Sequence, residues 1–185
     1  MSGVVVADRL PGVDQVPNPR GTVWGIDPST RRVAVGVIEP DDYPGHDEPR
    51  VHVHTLSMPT GHFAHRLAHG HANLLAWLPR VAARYGTPIS VLVEEPMGAT
   101  MSRVHPSSQR ALGVLLSALS ATLPRTEIDL CVPGTWKARS VGHGRASKTD
   151  VMNWAISSCG YGGDLQDEAD ALGIAWAAAL PLATA

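Results

Sequence analysis

The fold is decided by residues 22–38, which read TVWGID (22–27), PSTRR (28–32) and VAVGVI (33–38). Two β-rich runs joined by a short polar turn predict a β-hairpin. Asp27 ends the first run, and a carboxylate inside an apolar strand is costly unless something compensates its charge. A bound cation would compensate this charge and could also support a reaction. A cation needs several ligands, so further carboxylates that reach Asp27 are expected elsewhere in the chain.

The pattern on either side of the hairpin predicts an α/β architecture. Further strands are predicted at 51–56, 89–93 and 127–132, and helices at 62–85, 107–123, 148–158 and 165 to about 180. The continuous apolar run 89–93 indicates a strand buried on both faces, and Pro79 is expected to kink or divide the first helix. A glycine-containing basic loop is predicted before the helix at 148. This order predicts a mixed five-stranded sheet with helices on both faces.

The composition is that of one ordinary globular domain, with 185 residues, 44% of them hydrophobic and 17% charged. Residues 1–20 are predicted as a flexible N-terminal leader, and residues 21–185 as the domain. No apolar stretch approaches the roughly 20 residues that cross a bilayer, and no secretory signal is evident. Two cysteines, Cys131 and Cys159, are too few for a disulfide framework, which predicts reduced thiols and a cytoplasmic location.

Charge is unevenly distributed along the chain. The formal net charge of −2 is not that of a general nucleic-acid binder. Residues 130–149 nevertheless contain no acid, and their bases are Lys137, Arg139, Arg145 and Lys148. This stretch could contact phosphates without making the whole protein basic.

Acidic residues occur again where the strand at 89–93 ends. Glu94 and Glu95 follow that strand directly, and ligands gather beyond strand ends of this kind in α/β sheets. Successive strand residues point to opposite faces, so at most one of the two glutamates joins a given site. The sequence leaves open which of them it is, although Glu94 is the one we assign.

The last predicted helix begins with a third group of acids. Asp164 and Glu168 are interpreted as capping and helix-dipole residues. Asp167 and Asp170 share one helix face because they are three residues apart, and Asp170 has no such structural explanation. The predicted metal ligands are therefore Asp27, Glu94, Asp167 and Asp170. Hard oxygen ligands suit Mg²⁺ or Mn²⁺, and four negative charges balance two divalent cations of the kind that hydrolyse phosphodiesters.

Five segments together resemble a known family. They read GIDPS (25–29), VGVI (35–38), VEE (93–95), QRALG (109–113) and DEADALGIA (167–175). From about Thr22 to Ala179 the chain resembles the RuvC family of Holliday junction resolvases, within the RNase H-like superfamily. The resemblance implies an RNase H-like fold and a metal-dependent endonuclease that cuts four-way DNA junctions symmetrically. It also implies a homodimer with two Mg²⁺ per active site, for which Mn²⁺ substitutes.

The resemblance also extends to residues that would contact DNA. Lys137 and Lys148 are similar to two family lysines around a glycine loop, which implies that they contact the scissile phosphate or neutralise developing charge. Further DNA-binding candidates are Arg139, His143, Arg145, Arg103 and Met97. Met97 stands where the family commonly has an aromatic residue that stacks on a base. The sequence identifies no branch-migration partner.

The sequence also permits other interpretations of function and of metal binding. The same fold and chemistry would serve a nuclease acting on flaps, forks or RNA–DNA hybrids, and a catalytically inactive junction-binding module is a further alternative. An actin-like ATPase also starts with an aspartate on a first hairpin, but neither its second phosphate-binding hairpin nor its glycine-rich adenosine site is found. His62, His65 and His69 share a helix face compatible with zinc, and Trp136 beside Lys137 could stack on a base.

Overall fold

Across residues 19–40, 49–96 and 106–180, which the computed structural model describes, five strands form one sheet. They are β1 (Val23–Pro28), β2 (Arg32–Glu39), β3 (Arg50–Ser57), β4 (Ser90–Glu94) and β5 (Glu127–Cys131). Their order is β3-β2-β1-β4-β5. The pairs β1–β2 and β2–β3 are antiparallel, whereas β1–β4 and β4–β5 are parallel. The predicted mixed sheet is confirmed, and its parallel half brings the ends of β1 and β4 together.

Helices cover both faces of the sheet, as predicted. They are α1 (Phe63–Tyr85), α2 (Pro106–Thr122), α3 (Pro133–Ser140), α4 (Lys148–Cys159) and α5 (Gln166–Ala179). One core lies under α1 and α2 and contains Trp24 and Ile26 of β1. The other lies under α3, α4 and α5 and contains Val23. Because alternate residues of β1 face opposite cores, Gly25 and Asp27 face α5. None of the helices in the described part is long and apolar enough to cross a membrane.

The structure differs from two expectations about helices. Pro79 does not divide the first helix, because α1 runs without interruption from Phe63 to Tyr85; a kink at Pro79 stays a prediction. Pro79 and Leu75, whose carbonyl loses its hydrogen bond, both lie on the exposed side of α1, where water can satisfy that carbonyl. The stretch after β5 is not only a loop, because residues Pro133–Ser140 form α3. Pro133 supplies a favourable first helical residue, and the buried side chain of Trp136 anchors the helix.

Helix α5 rests directly on the backbone of the central hairpin. A Cβ added to Gly25 would overlap the backbone nitrogen of Ala175 and lie 2.6 Å from the carbonyl oxygen of Ala171. A Cβ added to Gly36 would lie 2.5 Å from that same oxygen. No side chain can therefore separate α5 from β1 and β2 at this point. The distance between the acidic helix and the strand that carries Asp27 is set by backbone contact.

Most of the predicted leader, and the segments 41–48 and 97–105, lie outside the described residues. The leader and the domain boundary at residue 21 therefore stay predictions. Cys131 and Cys159 are free cysteines.

Candidate acidic active site

The four predicted acids come from three elements that meet at one end of the sheet. Ile26 of β1 pairs with Val93 of β4 in parallel register, so Asp27 and Glu94, the residues that follow them, lie side by side on strands about 4.8 Å apart. Both face the side of the sheet that α5 covers. Asp167 and Asp170 lie in the first two turns of α5, close enough for their charges to act on Asp27.

Burial and mutual repulsion strongly perturb these acids. Desolvation, followed by the charges of Glu94, Asp170 and Asp167, raises the pKa of Asp27 to about 8. Desolvation is also the largest cause that raises the pKa of Glu94 and of Asp170. Carboxyl groups with raised pKa values collect at functional sites. Bound cations would reverse this effect, because they favour the charged form of each carboxylate.

This perturbation makes the stability of the metal-free protein depend on pH. Below the unfolded pKa of Asp27, 3.8, both states are protonated, and between that value and about 8 only the native state keeps its proton. The free energy of unfolding is therefore expected to fall as pH rises through this window. Melting temperatures in EDTA at pH 5 and pH 8 test the expectation. In Asp27→Asn the decrease should be smaller, and an equal decrease in both proteins would contradict it.

Three of the four acids already have a protein partner. Glu94 Oε2 accepts a hydrogen bond from Trp136 Nε1 at 2.6 Å, and Asp170 Oδ1 accepts one from Gln166 Nε2 at 2.8 Å. Asp167 Oδ2 lies 3.6 Å from Arg32 Nη1 in an ion pair. Each of these carboxylates keeps a second oxygen outside these interactions.

The four acids offer the right ligand atoms for a hard divalent cation, but their side chains are not placed to bind one together. All their ligand atoms are carboxylate oxygens, which Mg²⁺ and Mn²⁺ prefer. Within the three described ranges, however, no group of three or more His, Cys, Asp or Glu is arranged to hold one ion. Carboxylate side chains would therefore rotate when an ion binds. The same finding covers the helical histidines, of which His65 and His69 contact each other with tilted rings, their centroids 4.0 Å apart.

The structure assigns different positions to the two adjacent glutamates. Glu94 contacts Trp136 beside Asp27, whereas Glu95 is exposed, with its backbone N–H donating to the Cys131 carbonyl. Glu94 is therefore the glutamate that shares a site with Asp27. Glu95 provides a matched control for it.

Both predicted lysines lie near the acids. The charge of Lys137 partly offsets the rise in the pKa of Glu94 and of Asp170, and the charge of Lys148 partly offsets the rise for Asp27 and for Asp170. Lys137 Nζ also donates to the Ala146 carbonyl at 3.0 Å, which braces the loop between α3 and α4. Lys148 is the first residue of α4. The amino terminus of a helix adds partial positive charge at that position.

The structure describes three of the five other DNA-binding candidates. Arg139 donates to the Leu180 carbonyl at 2.8 Å, at the opposite end of α5 and about 15 Å along the helix axis from Asp170. His143 and Arg145 are exposed in the loop between α3 and α4. Arg103 and Met97 lie outside the described residues. Contact of these residues with DNA stays a prediction.

Trp136 is a site residue whose role the sequence did not reveal. The interpretation of Trp136 as a base-stacking residue is wrong, because its side chain is only 1% exposed. Its ring packs against Gly173, where an added Cβ would lie 2.5 Å from Cζ3 of the tryptophan. Trp136 therefore bridges Glu94 on β4 and the face of α5 that carries Asp170. A tryptophan followed by a lysine gives no local signal of such a contact.

Replacing Trp136 by phenylalanine should free the Glu94 carboxylate and also loosen the contact of the ring with Gly173. The ring volume decreases modestly and the hydrogen bond to Glu94 disappears. We expect the Mg²⁺ concentration for half-maximal cleavage to rise about tenfold, because one bond to a charged group contributes roughly 1.5–3 kcal/mol. Cleavage assays over a Mg²⁺ titration measure this. If the Mg²⁺ dependence is unchanged and only the melting temperature falls, Trp136 contributes to packing and its hydrogen bond has no role in metal binding.

The capping interpretation of the acids at the start of α5 is also wrong, although Glu168 does lie in the first turn, as the helix-dipole interpretation expected. The N-cap residue is Leu165, not Asp164, and no side chain caps the helix. Glu168 accepts hydrogen bonds from Thr55 Oγ1 at 2.6 Å and from the Tyr161 hydroxyl at 2.7 Å. Burial, followed by this bond to Glu168, raises the pKa of Tyr161 to about 12, so the phenol remains a donor. Partners 113 residues apart in sequence left no local signal.

Comparison with known proteins identifies the fold. No family model and no curated sequence matches the chain. Among solved structures, RuvC of Thermus thermophilus is similar, with 25% identity and a TM-score of 0.63 over 84% of this chain and 92% of that one. The same protein in complex with a Holliday junction substrate gives 26% identity and a TM-score of 0.65, over 85% and 92%. The yeast mitochondrial Holliday junction resolvase Ydc2, with 16% identity and a TM-score of 0.55 over 90% and 83%, shares the fold.

The sheet order, the helices on both faces and the acids at the strand ends define an RNase H-like α/β protein. Within that class the chain is RuvC-like: its similarity to RuvC extends over 92% of the length of that protein. The resemblance inferred from the sequence motifs is confirmed.

Proposed function

We propose that this chain is a divalent-metal-dependent endonuclease that resolves Holliday junctions by symmetric phosphodiester hydrolysis. The observation that carries the proposal is the meeting of Asp27, Glu94, Asp167 and Asp170 in a RuvC-like fold, with Lys137 and Lys148 close by. Packing several partly buried acids against one another has no structural benefit of its own. One of the similar structures is a RuvC bound to a Holliday junction substrate, which favours branched DNA over other substrates.

In this proposal the four acids hold two Mg²⁺ ions, for which Mn²⁺ substitutes. Two such ions, when bound, activate a water and stabilise the leaving oxygen of a phosphodiester. Asp27 supports the centre of the site, because the charges of all three other acids act on it. Glu94 is oriented by the Trp136 hydrogen bond. The reaction leaves 5′-phosphate and 3′-hydroxyl ends.

The lysines of the protein orient the substrate. Lys148 combines an ammonium group with the positive end of α4, an arrangement that favours phosphate. Lys137 lies between the acids and the loop that carries His143 and Arg145, because its amine reaches the Ala146 carbonyl. We propose that these two lysines contact the scissile phosphate. His143 and Arg145, with Arg103, Met97 and Arg139, would contact the flanking DNA.

A four-way junction has two strands to be cut at symmetric positions. A two-fold homodimer would present one acidic site to each strand, and two-fold assembly is the commonest symmetry of protein oligomers. We propose such a homodimer as the active form. We also propose a cytoplasmic location, with which the free thiols of Cys131 and Cys159 agree.

The test is incubation with a mobile four-way junction in Mg²⁺, followed by mapping of the nicks. Paired nicks at symmetric positions, ligatable without further processing, are the expected result. Flaps, forks and RNA–DNA hybrids of matched length are assayed in parallel. Faster cleavage of any of these would show that it, rather than the four-way junction, is the preferred substrate of the same reaction. Tight junction binding without cleavage in Mg²⁺ or Mn²⁺ would indicate an inactive junction-binding module.

A further inference from the structure

We propose that Glu168 is a positioning residue that sets the rotation of α5 about its own axis and so directs Asp167 and Asp170 toward Asp27. The proposal rests on the proposed function, because it concerns the acids of that site. It gives a role to an acid that lies next to Asp167 but points away from the site. We call Glu168, Thr55 and Tyr161 the Glu168 anchor.

The Glu168 anchor joins three separate parts of the chain. Thr55 Oγ1 on β3 donates to Glu168 Oε1 at 2.6 Å, and the Tyr161 hydroxyl donates to Oε2 at 2.7 Å. The same phenol oxygen accepts the backbone N–H of Leu165 at 3.1 Å, directly before α5. Both carboxylate oxygens thus have a neutral donor, so Glu168 is held by the protein rather than turned toward the acids.

The register of the sheet places this anchor at a defined distance from Asp27. Asp27 pairs with Ala34 of β2, and Ala34 pairs with Thr55 of β3. Paired residues of neighbouring strands share a face, so the three form one row under α5. The row spans two strand spacings, about 10 Å. The first turns of α5 therefore cross the row, with Glu168 bonded at the β3 end and the two aspartates near its β1 end.

Because of helix geometry, the hydrogen bonds of Glu168 can fix the rotation of α5 about its axis and therefore the positions of Asp167 and Asp170. At 3.6 residues per turn, Glu168 is displaced around the axis by about 100° from Asp167 and about 200° from Asp170. The contact of α5 with Gly25 and Gly36 is backbone against backbone, which fixes height over the sheet and leaves the rotation to side-chain contacts. Leu172, Ile174 and Trp176 make such contacts in the core, and Glu168 makes them in the first turn, next to Asp167. A roll of about 20° would move a carboxylate near the helix surface by about 2 Å. Misplacement of 1 Å can lower a rate about 100-fold.

The loop before α5 is shaped around the same hydroxyl. A Cβ added to Gly163 would overlap the Tyr161 hydroxyl and lie 2.6 Å from its Cζ. Glycine at position 163 is therefore what allows the phenol to lie against the chain and reach Glu168. This contact is independent of the acids and of Thr55.

The test compares Glu168→Ala with Glu168→Gln. Glu168→Ala removes both hydrogen bonds and is expected to lower single-turnover junction cleavage 10- to 100-fold, with metal-free junction binding within twofold of wild type. Glu168→Gln is expected to restore most of the rate, because the Thr55 and Tyr161 hydroxyls can donate to its oxygen and accept from its amide. Thr55→Val and Tyr161→Phe each remove one bond and should give intermediate losses. Exposed Glu127 of β5 provides the control variant Glu127→Ala, which should cleave like wild type.

Several outcomes would overturn the proposal. If Glu168→Gln is as inactive as Asp27→Asn, the charge of Glu168 is required, and Glu168 is a ligand rather than a positioning residue. If Glu168→Ala lowers cleavage only in proportion to its loss of folded protein, measured at the same temperature, its role is structural alone. Wild-type-like cleavage by Glu168→Ala also overturns it. If the wild-type protein cuts no branched DNA, the proposed function is overturned instead. Wild-type cleavage is therefore measured before the variants are compared.

Discussion

Asp27→Asn is expected to lower junction cleavage in Mg²⁺ by a factor on the order of 10³ or more, because coordination to a catalytic cation contributes several kcal/mol to transition-state stabilisation and each 1.36 kcal/mol is tenfold in rate. The asparagine amide would have nearly the same shape as the carboxylate but no charge. Junction binding should remain largely intact, since the two lysines proposed to contact phosphate are unchanged. Single-turnover cleavage and metal-free binding assays on the same preparation separate the two effects.

The same substitution should raise the stability of the metal-free protein. Asp27 keeps its proton up to about pH 8 because of burial and of three neighbouring acids, so ionising it above that pH works against the fold. An amide removes that repulsion. The melting temperature of Asp27→Asn in EDTA at pH 8.5 is therefore expected to exceed that of wild type. Addition of Mg²⁺ should raise the melting temperature of wild type more than that of the variant.

Exposed Glu95 provides the matched control, because Glu95→Gln removes a charge next to the site without removing a ligand. It is expected to leave cleavage within about twofold of wild type, a difference of less than roughly 0.5 kcal/mol. Full cleavage by Asp27→Asn would remove the proposed mechanism. Loss of cleavage in both variants alike would indicate a general effect of acidic charge instead.

The second large effect is expected for Gly25→Ala, which should destabilise the whole domain. The new methyl group would overlap the Ala175 nitrogen and approach the Ala171 carbonyl oxygen to 2.6 Å. Neither atom can yield as a side chain would, so α5 has to lift from the sheet. Overpacking of a core typically costs 1–3 kcal/mol when side chains can adjust, and this contact is backbone. We expect a loss of at least about 3 kcal/mol, measured as the free energy of unfolding in urea.

Gly113→Ala is the matched control for that substitution. Gly113 lies within α2, and an added Cβ would meet nothing within 4 Å. Alanine in place of glycine inside a helix is worth up to about 1 kcal/mol of added stability. Opposite signs for the two substitutions are therefore expected. A Gly25→Ala protein as stable as wild type would mean that α5 is not held in contact with the backbone of β1.

The parts of this protein that sequence could predict are those encoded by neighbouring residues. The hairpin at 22–38 shows in its two β-rich runs and the polar turn between them, and Asp27 is conspicuous because an acid interrupts an apolar run. Asp167 and Asp170 can be placed on one face by helix geometry alone. The resemblance to RuvC predicts that these segments belong to one RNase H-like fold, and the observed order of strands and helices agrees with it.

The parts that escaped prediction depend on contacts between distant residues. Trp136 and Glu94 are separated by 42 positions, and the need for an indole N–H at Glu94 is visible only once β4 and α3 are packed together. Glu168 is separated from Thr55 by 113 positions, so its local context suggested a helix cap. Helix α3 was missed because its short sequence begins with a proline and a glycine, and its stability comes from burial of Trp136.

The direct contact of α5 with β1 and β2 has a consequence for the biosynthesis of the protein. Asp27 and Glu94 leave the ribosome well before Asp170, and α5 is the last described element to be translated. Until that helix docks, Asp167 and Asp170 have no fixed place relative to Asp27 and Glu94. The proposed metal site is therefore expected to form only after α5 has been translated and has packed against the central hairpin.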